Sequence, residues 1–488
     1  MRACHKTLIF QSIDRVVRGV EMRKIIVAIV VSVLLSTAFF TELDSSVTAN
    51  LGCTLNPNPN SNVIARHDKA YLENVSGVLL LHVKGSPYKM GYQNGFLLKD
   101  RIQASIQYHN QRMIDMGYSY EYMVNCSKAM EPHTPQEYIE EMQGLADGAS
   151  VKYTDVLLLQ IDADLPGRGW TGCSGFAIFG NATIDGHLYH GRSLDSPLLP
   201  QPSCLVTVYE PERGDAFVNI GHFGIIGADV GMNKKGISLG LKFSSSSDKT
   251  LDGMPILFIL RKVLQYSNNL KEAISIVNQT GRTTGWNIVL GNGNNLNACA
   301  VEMSDNYCKV FWAGDPAEDI LPHYSIENVV RRTNHYIDPE LAATQRFPYD
   351  PRDGWNWSWN RYEKLSQLIL GNYSNIDADM SIQFLRTPPV AGWYPNRQSV
   401  VFDTTDLELW VANANSTTSA YLREFIYLSR QDLFPSGIHV PVNKLELLAP
   451  YIGLTILLVV GVVIAVYVKK GREKQRFSLK QPKNQLNA

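Results

Sequence analysis

The chain has 488 residues, of which 45% are hydrophobic and 19% are charged, and its formal net charge is −1. This length and composition exclude a disordered or fibrous protein and leave room for about two to four domains. A net charge near zero gives no reason to expect a nucleic acid as a partner, and we expect none.

A basic and then apolar segment lies near the N-terminus. Arg23 and Lys24 precede a run of about 16 mostly apolar residues, Ile25 to Phe40, which ends beside small residues. This order is typical of a secretory signal, which we predict over residues 22–45. An uncleaved N-terminal anchor is the alternative interpretation.

Residues 64–172 form the first predicted segment of the middle region. A strand-like stretch, VSGVLLLHVKG, is followed by the helical pattern SPYKMGYQNGFLLKDRIQASIQYHNQRM. A second helical pattern, PQEYIEEMQGLADGAS, ends at glycine and serine. Apolar residues at a helical period predict one helix for each pattern.

Residues 173–435 form the second predicted segment, in which short β-rich stretches alternate with turn signals such as Asp185-Gly186. One helix is predicted over PILFILRKVLQYSNNLKEAISIVNQ, and a strand pair around WNIVLGNGNNLNACAVEM follows. A helix over SWNRYEKLSQLIL and a strand pair over QSVVFDTTDLELWVANA come later. Runs of strands interrupted by helices predict the α+β class, with helices layered on antiparallel sheet.

A second apolar run lies near the C-terminus. Residues 447–468 are about 22 mostly apolar positions, and five basic residues follow within the next eight. This pattern predicts a transmembrane helix over 447–468 and a basic cytosolic tail over 469–488. We therefore expect a single-pass type I membrane protein whose middle region is extracytoplasmic, at the cell surface or in a lumen.

Sequons and cysteines give weaker information about the middle region. The seven cysteines show no CxxC or Cys/His spacing typical of zinc, and we predict no metal and no cofactor. Seven N-x-S/T sequons support an exported glycoprotein. They lie at Asn74, Asn125, Asn181, Asn278, Asn356, Asn372 and Asn415.

One predicted hairpin, GCSGFAIFGNATIDGHLYHGRSLD, carries a cysteine in unusual company. If its turn is centred near residues 183–185, strand pairing places Cys173 opposite roughly residues 194–196. Arg192 and Asp195 then lie beside the cysteine, where a guanidinium favours the nucleophilic thiolate and a carboxylate can orient a second group. A core thiol with a structural ion pair would give the same pattern, so the hairpin alone leaves both interpretations open.

Six motifs in order add a resemblance. They are GSPYKMGYQNG, EEMQGLADGASVKYTDVLLLQ, the cysteine hairpin, GMNKKGISLGLKF, WNIVLGNGNNLNACAVEMS, and RRTNHY with NRYEKL. Together they resemble the acyl-CoA:6-aminopenicillanate acyltransferase-like family of N-terminal nucleophile hydrolases, over residues from about 84 to about 420. Choloylglycine hydrolases and acid ceramidase are similar at a greater distance. The resemblance implies an αββα sandwich of two antiparallel sheets between helical layers.

The resemblance also implies a chemistry. Precursors of this family cleave themselves just before the nucleophile, which here means between Gly172 and Cys173. The freed cysteine would carry a thiol and an α-amine with an ordinary pKa of about 7.7–8.0, which can take the thiol proton without a histidine. The enzyme would then pass the acyl group of a linear amide to Cys173 as a thioester, and from there to water or to an amine.

Roles for four further residues follow from the resemblance. Arg192 and Asp195 match the pair that holds the amine and thiol of the nucleophile. Asn334 matches the side-chain donor of the oxyanion hole, and Arg361 matches a later arginine near the site. Read without the resemblance, Asn334 fits a turn or cap and Arg361 fits a surface position on an amphipathic helix.

The second oxyanion donor would be a backbone N–H just after GMNKKG, at Lys242 or Phe243. Related sequences often have asparagine or tyrosine near that point, and this chain departs from them.

Three histidines suggest a Cys-His pair instead. We interpret His187 and His190 as strand residues of the hairpin and His335 as a neighbour of the oxyanion asparagine. Cys173 also lacks the C-G-[SA]-C-[WY] surroundings of papain-like proteases.

The leading hypothesis is a membrane-anchored, autoproteolytically activated cysteine amidohydrolase or acyltransferase. Its substrate would be a small N-acyl amide, with an amine as a possible acyl acceptor and the membrane as a partner through the C-terminal helix. The alternative is a non-catalytic cell-surface glycoprotein with the same fold. The presence of Cys173, Arg192, Asp195 and Asn334 together argues against that alternative.

Overall fold

The computed structural model of the chain describes residues 61–165, 172–197, 199, 204–346, 357–392, 394–435 and 468–469. The chain divides into two compact units, 1–435 and 436–488, and every element named below belongs to the first. The predicted signal and almost all of the predicted transmembrane helix and basic tail lie outside the described residues. Among the helices within these ranges, none combines the length and apolar character that a bilayer span requires.

Two β-sheets form the centre of the first unit. The strands are β1 (Ser61–His67), β2 (Ala70–Val75), β3 (Val78–Gly85), β4 (Gly172–Ile178), β5 (Tyr189–Asp195), β6 (Cys204–Pro211), β7 (Phe217–His222), β8 (Val230–Asn233), β9 (Ile237–Phe243), β10 (Trp286–Asn292), β11 (Asn297–Met303), β12 (Cys308–Trp312), β13 (Val329–Arg332), β14 (Asn396–Asp403), β15 (Glu408–Asn413) and β16 (Ile426–Leu428).

Helices occupy the intervals between groups of strands. They are α1 (Pro87–Leu97), α2 (Lys99–Asp115), α3 (Tyr120–Met130), α4 (Gln136–Ala149), α5 (Tyr153–Ile161), α6 (Ile256–Tyr266), α7 (Leu270–Gln279), α8 (Pro339–Thr344), α9 (Trp357–Gly371), α10 (Ala378–Arg386) and α11 (Arg430–Leu433).

The strands are divided between a large sheet A and a smaller sheet B. Sheet A has the order β1-β2-β3-β6-β7-β8-β9-β10-β11-β12, and sheet B has the order β13-β4-β5-β14-β15-β16. The predicted α+β class with two sheets is confirmed. The prediction of purely antiparallel sheets is wrong at one place, because β3 and β6 are parallel neighbours. A long connection that holds α1–α5 and the β4–β5 hairpin separates them, and parallel neighbours require such a crossover.

The two sheets pack face to face, and helices cover their outer faces. Along β10, Ile288 joins the core beneath α1–α7, while the next residue, Val289, joins Ala177 of β4 in a core between the sheets. On the other side of β4, Phe176 packs with Leu365 of α9. Alternating side chains of each strand therefore serve two different cores, which gives the helix–sheet–sheet–helix layering.

Two segments that were predicted as single helices are each broken into two. The first bends at Leu98, between α1 and α2, and Leu98 is buried in the same core as Ile102 of α2. The bend therefore keeps the apolar residues of both helices on one core. The second breaks before α7, where the side chain of Asn269 accepts a hydrogen bond of 3.0 Å from the backbone N–H of Glu272. An asparagine that caps a new helix in this way stops the preceding one.

Helices α1 and α4 lie in close contact through facing glycines. A Cβ added to Gly91 would overlap the carbonyl oxygen of Glu141, and one added to Gly144 would overlap the backbone of α1. Gly95 and Gly148 repeat this contact one turn later. Two of the motifs that carried the resemblance thus encode helix packing.

A buried ion pair joins the segments on either side of the Gly172–Cys173 bond. Arg261 of α6 donates to both carboxylate oxygens of Glu141 in α4, at 2.8 and 2.6 Å, and both side chains are buried. The guanidinium also lies 4.4 Å from the ring centre of Tyr209 in β6. With the β3–β6 pairing, these contacts make residues before 172 and after 173 parts of one core.

Gly144→Ala should lower the free energy of unfolding by about 1–3 kcal/mol, because the added methyl group forces α1 and α4 apart. Urea denaturation followed by circular dichroism measures the difference. Gly371→Ala is the matched control, since Gly371 also lies in a helix and no atom is within 4 Å of its added Cβ. Equal stability of the two variants would contradict the close packing.

Candidate active site around Cys173

Cys173 lies on β4, between β13 and β5 in sheet B. The register pairs Cys173 with Leu194 and Gly172 with Asp195, so the predicted position of the cysteine opposite residues 194–196 is confirmed. All residues of β4 and β5 are buried, and Cys173 is 3% exposed. Pairing with β5 therefore fixes the backbone at Cys173, while the pairing with β13 begins two residues later, at Gly175.

Asn334 holds the backbone nitrogen of Cys173. Its Oδ1 accepts from the N–H of Cys173 at 2.8 Å and from Nη2 of Arg361 at 2.6 Å. Its Nδ2 donates to the carbonyl oxygen of Phe243 at 2.6 Å. Because the first two partners can only donate and the third can only accept, these contacts determine the orientation of the amide. Asn334 follows β13, is buried and contacts Cys173, so it is not a surface turn residue, and its catalytic role stays a prediction.

Arg361 of α9 binds the carbonyl oxygen of Cys173. Its Nη1 donates to the carbonyl oxygen of Cys173 and, at 3.2 Å, to Oγ of Ser174. The side chain is fully buried, and burial lowers the pKa of Arg361 to about 10, against the opposing effects of Asp195 and Cys173. The guanidinium is still charged at neutral pH and is not a surface residue.

Arg192 lies on the same face of sheet B as the thiol. It is paired with Gly175, two residues after Cys173 on β4. Its Nη2 is 3.2 Å from Oδ2 of Asp229, and its Nε donates to the carbonyl oxygen of Leu241 at 3.4 Å. Arg192 therefore brings a positive charge to the surroundings of Cys173 and shares that charge with Asp229.

Asp195 lies on the opposite face, against Gly172. Its Oδ1 accepts from Nδ2 of Asn396 at 2.8 Å. Burial raises the pKa of Asp195 to about 6, while Arg361, Asn396 and the backbone N–H groups of residues 392 and 394 oppose the rise. The predicted carboxylate is therefore present in the site, with a proton affinity well above the ordinary one.

Lys242 and Phe243, the two predicted backbone donors, end β9 of sheet A. Phe243 contacts the site through its carbonyl oxygen, which accepts a hydrogen bond from Nδ2 of Asn334. The Lys242 side chain lies between the sheets, and burial lowers its pKa well below the ordinary value. The oxyanion role of either backbone N–H stays a prediction.

A cavity of about 130 Å³ opens beside Cys173. Its apolar wall includes Leu194, Leu241, Phe243 and Trp286. Charged residues, among them Arg112, Arg192 and Arg397, line it as well. Residues of α2 and α5 complete the lining, so the segment before the Gly172–Cys173 bond contributes to the site.

Three residues support Asn334 without having been predicted to do so. Asn287 of β10 donates to the carbonyl oxygens of residues 333 and 335, at 3.2 and 2.8 Å. Ser358 accepts the N–H of Asn334 at 2.9 Å. Glu302 accepts from Nε of Arg332 at 2.7 Å and from the backbone N–H groups of residues 337 and 338. Buried polar residues within apolar strands were the available sequence signal for Asn287 and Glu302.

None of the three histidines that suggested a Cys-His pair is among the described residues that line the cavity. His190 bonds Ser238, and His335 bonds Ser358. His187, Asp403 and Asp406 place possible ligand atoms within 4.8 Å of one another, at the end of the hairpin away from Cys173. A cation could be held there, apart from the thiol.

Residues 184–395 match the family model described as acyl-coenzyme A:6-aminopenicillanic acid acyl-transferase. Over these residues the chain is similar to that family. The match agrees with the resemblance drawn from the motifs over these residues.

Whole-chain comparisons give more distant relatives. An uncharacterized protein of Archaeoglobus fulgidus is 31% identical over 386 residues, which are 69% of this chain and 63% of that protein. Protein dcd1B of Dictyostelium discoideum is 28% identical over 302 residues, which are 54% of this chain and 59% of that protein. The chain thus spans about three fifths of the length of these curated relatives.

Two solved structures are similar at low sequence identity. An N-acylethanolamine-hydrolyzing acid amidase ortholog of Caenorhabditis elegans is 17% identical with a TM-score of 0.36, over 48% of this chain and 93% of that chain. A penicillin V acylase of Agrobacterium tumefaciens is 12% identical with a TM-score of 0.36, over 54% of this chain and 89% of that chain.

Asp195→Asn should change how stability depends on pH. Between its ordinary pKa of 3.8 and about 6, the folded chain keeps a proton that the unfolded chain has lost. The wild-type free energy of unfolding should therefore fall as pH rises through this window, by about 3 kcal/mol, and the asparagine variant should lack this fall. Urea denaturation across pH about 4 to 7 measures both curves. The same exchange at exposed Asp379 is the control, and parallel wild-type and Asp195→Asn curves would contradict the assignment.

Proposed function

We propose that this chain is an autoproteolytically activated cysteine amidohydrolase or acyltransferase, which cleaves the amide of an N-acyl substrate through a thioester on Cys173. One observation carries the proposal. Asn334 binds the backbone N–H of Cys173, and Arg361 binds its carbonyl oxygen, beside a cavity in a buried region. Two side chains thus bind the N–H and the carbonyl oxygen of Cys173, whose strand is already paired with β5. Such binding fixes the position of a residue that reacts.

In the proposed activation, the Cys173 thiol attacks the carbonyl carbon of Gly172. The acyl group moves from nitrogen to sulfur, the C–N bond breaks, and water releases the new C-terminus from the sulfur. The Asn334 oxygen that now accepts the amide N–H would then hold the α-amine of Cys173. This amine has an ordinary pKa near 8 and can take the thiol proton at neutral pH.

In the proposed turnover, the thiolate attacks the carbonyl carbon of the substrate amide. Arg192 lines the cavity with Cys173 and favours the thiolate by its charge. The amide nitrogen of Asn334 has two hydrogens, and the Phe243 carbonyl takes one of them. The second is available to the oxyanion, as the resemblance implies.

The lining of the cavity supports a substrate with an apolar acyl part. Leu194, Leu241, Phe243 and Trp286 offer an apolar surface next to the thiol, where an acyl chain would lose water. Arg112 and Arg397, with Asp162 and Asp229, give the same cavity a charged part that suits a polar amine portion. Either water or an amine would then take the acyl group, and the matched family is described as an acyltransferase.

We further propose that the enzyme is exported and anchored by residues 447–468, with the catalytic region outside the cytosol. The support is the sequence pattern at both ends of the chain. The sequon asparagines within the described ranges are exposed or half-buried, which leaves them accessible to glycosylation.

Wild-type chains should appear on a denaturing gel as two fragments, and the C-terminal one should begin at Cys173. Cys173→Ala should give one uncut chain, because the thiol is the attacking group. Edman sequencing or mass spectrometry identifies the junction. Gel filtration without denaturant should keep the fragments together, since the Arg261–Glu141 pair and the β3–β6 strands join them.

The matched control for cleavage is Cys299→Ala, at another buried cysteine, on β11. Burial raises the pKa of the Cys299 thiol, so its loss should leave cleavage unchanged. A folded wild-type chain that stays uncut would defeat the proposal in favour of a non-catalytic protein.

Asn334→Ala should lower kcat/KM for an N-acyl amide by about 10²–10³, because one oxyanion donor is lost. Activity is measured per cleaved molecule, with and without an added amine, so that hydrolysis and acyl transfer are separated. Asn294→Ala, in the turn between β10 and β11, is the control. A cleaved Asn334→Ala enzyme as active as this control would rule out the oxyanion role.

A further inference from the structure

Lys242 lies in the protein interior, where a charged amine is energetically unfavourable. It is fully buried on β9, and its Nζ donates to the carbonyl oxygen of Gly240 at 3.0 Å. Within the described part of the chain, no carboxylate forms an ion pair with it. A side chain that only filled space here would need no nitrogen, and an uncompensated buried lysine is typical of a functional group.

The Lys242 amine occupies a slot next to Cys173. A Cβ added to Gly175 would overlap Cε and Nζ of Lys242, so the absence of a side chain at Gly175 makes room for the amine. Gly175 is two residues after Cys173 and on the same face of β4, about 6.5–7 Å along the strand. The amine therefore occupies the space that a side chain at residue 175 would fill, next to the Cys173 thiol on the same face of β4.

Burial and two arginines favour the neutral form of this amine. Burial is the largest cause of its lowered pKa, Arg192 of β5 and Arg332 of β13 lower it further, and Cys173 opposes them. His190, also from β5, bonds Ser238 and has a pKa that burial and Lys242 both lower. A neutral lysine amine is a competent proton acceptor, and a charged one is not.

The uncut chain needs such an acceptor. Before cleavage the nitrogen of Cys173 is an amide, which binds Asn334 and cannot take a proton. The carboxylate of Asp195 is on the other face of the sheet, where Asn396 binds it. The α-amine that serves the mature enzyme does not exist until the first bond is broken.

We propose that Lys242 accepts the thiol proton of Cys173 in the uncut chain and returns it to the leaving nitrogen of Cys173. The proton moves from Sγ to Nζ, the thiolate forms a bond to the carbonyl carbon of Gly172, and the C–N bond breaks as Nζ–H⁺ protonates the nitrogen. The lysine is neutral again when the thioester has formed. Rotation of the lysine stem or one bridging water spans the distance. This inference rests on the proposed self-cleavage.

The test follows pulse-labelled full-length chains on denaturing gels over a range of pH. Lys242→Met, which keeps a similar volume without the amine, should cleave about 10²-fold more slowly than wild type. Lys234→Met, at an exposed lysine of the same β8–β9 hairpin, should cleave at the wild-type rate. The wild-type rate should fall as pH drops below the pKa of Lys242, because the neutral amine is required, and Lys242→Met should lack this inflection.

Lys242→Arg separates a proton acceptor from a fixed charge. Arginine carries a fixed positive charge and does not deprotonate in proteins, so Lys242→Arg should be as slow as Lys242→Met. A fast Lys242→Arg chain would overturn the proposal. Thermal denaturation checks that each variant is folded. The pH profile of the wild-type rate tests the proposal even if a variant does not fold. A wild-type rate that follows only the ionisation of an ordinary thiol, near pH 8.5, would overturn it as well.

The outcomes distinguish the two proposals. If wild-type chains are not cut, the proposed function fails. If wild-type chains are cut and Lys242→Met is cut equally fast at every pH, only the role of Lys242 fails.

Discussion

The amide of Asn334 is the contact on which the site depends. Its oxygen accepts the N–H of Cys173 in sheet B, and its nitrogen donates to the carbonyl oxygen of Phe243 in sheet A. One side chain therefore couples the packing of the two sheets to the orientation of the Cys173 backbone. Asn287 and Ser358 hold the backbone around Asn334, which makes this orientation a property of the whole interface.

Buried charges fall into two groups in this protein. Some of them form ion pairs, as in Arg261 with Glu141, Arg332 with Glu302 and Arg192 with Asp229. In the second group, Asp195, Arg361 and Lys242 have pKa values that burial moves toward the neutral form. A buried group without full compensation changes its protonation more readily, whereas a paired charge keeps it.

The residues before Cys173 are as much part of the fold as those after it. They supply β1–β3 of sheet A, helices α1–α5 over its outer face and part of the cavity lining. A cut at the Gly172–Cys173 bond would therefore change chain connectivity without separating the core. It would also free the nitrogen that Asn334 already binds.

The sequence was sufficient where a property depends on neighbours along the chain. Pairing within a hairpin is a matter of counting from the turn, so the position of Cys173 opposite residue 194 could be predicted. The breaks at Leu98 and Asn269 could not be placed by the same means, because the helical pattern continues across both. The motifs also identified Asn334 and Arg361, but through resemblance to a family and not through any local pattern.

By itself, then, the sequence determined the α+β class, the hairpin that carries Cys173 and the set of residues to expect near it. Only the tertiary structure decided what those residues touch, because Cys173 and Asn334 are 161 positions apart and meet through packing of separate strands. The same packing placed the Lys242 amine over Gly175, which no spacing in the sequence could indicate. Local periodicity sets which face of a strand a side chain occupies, and the contact between two sheets sets which side chain it finds there.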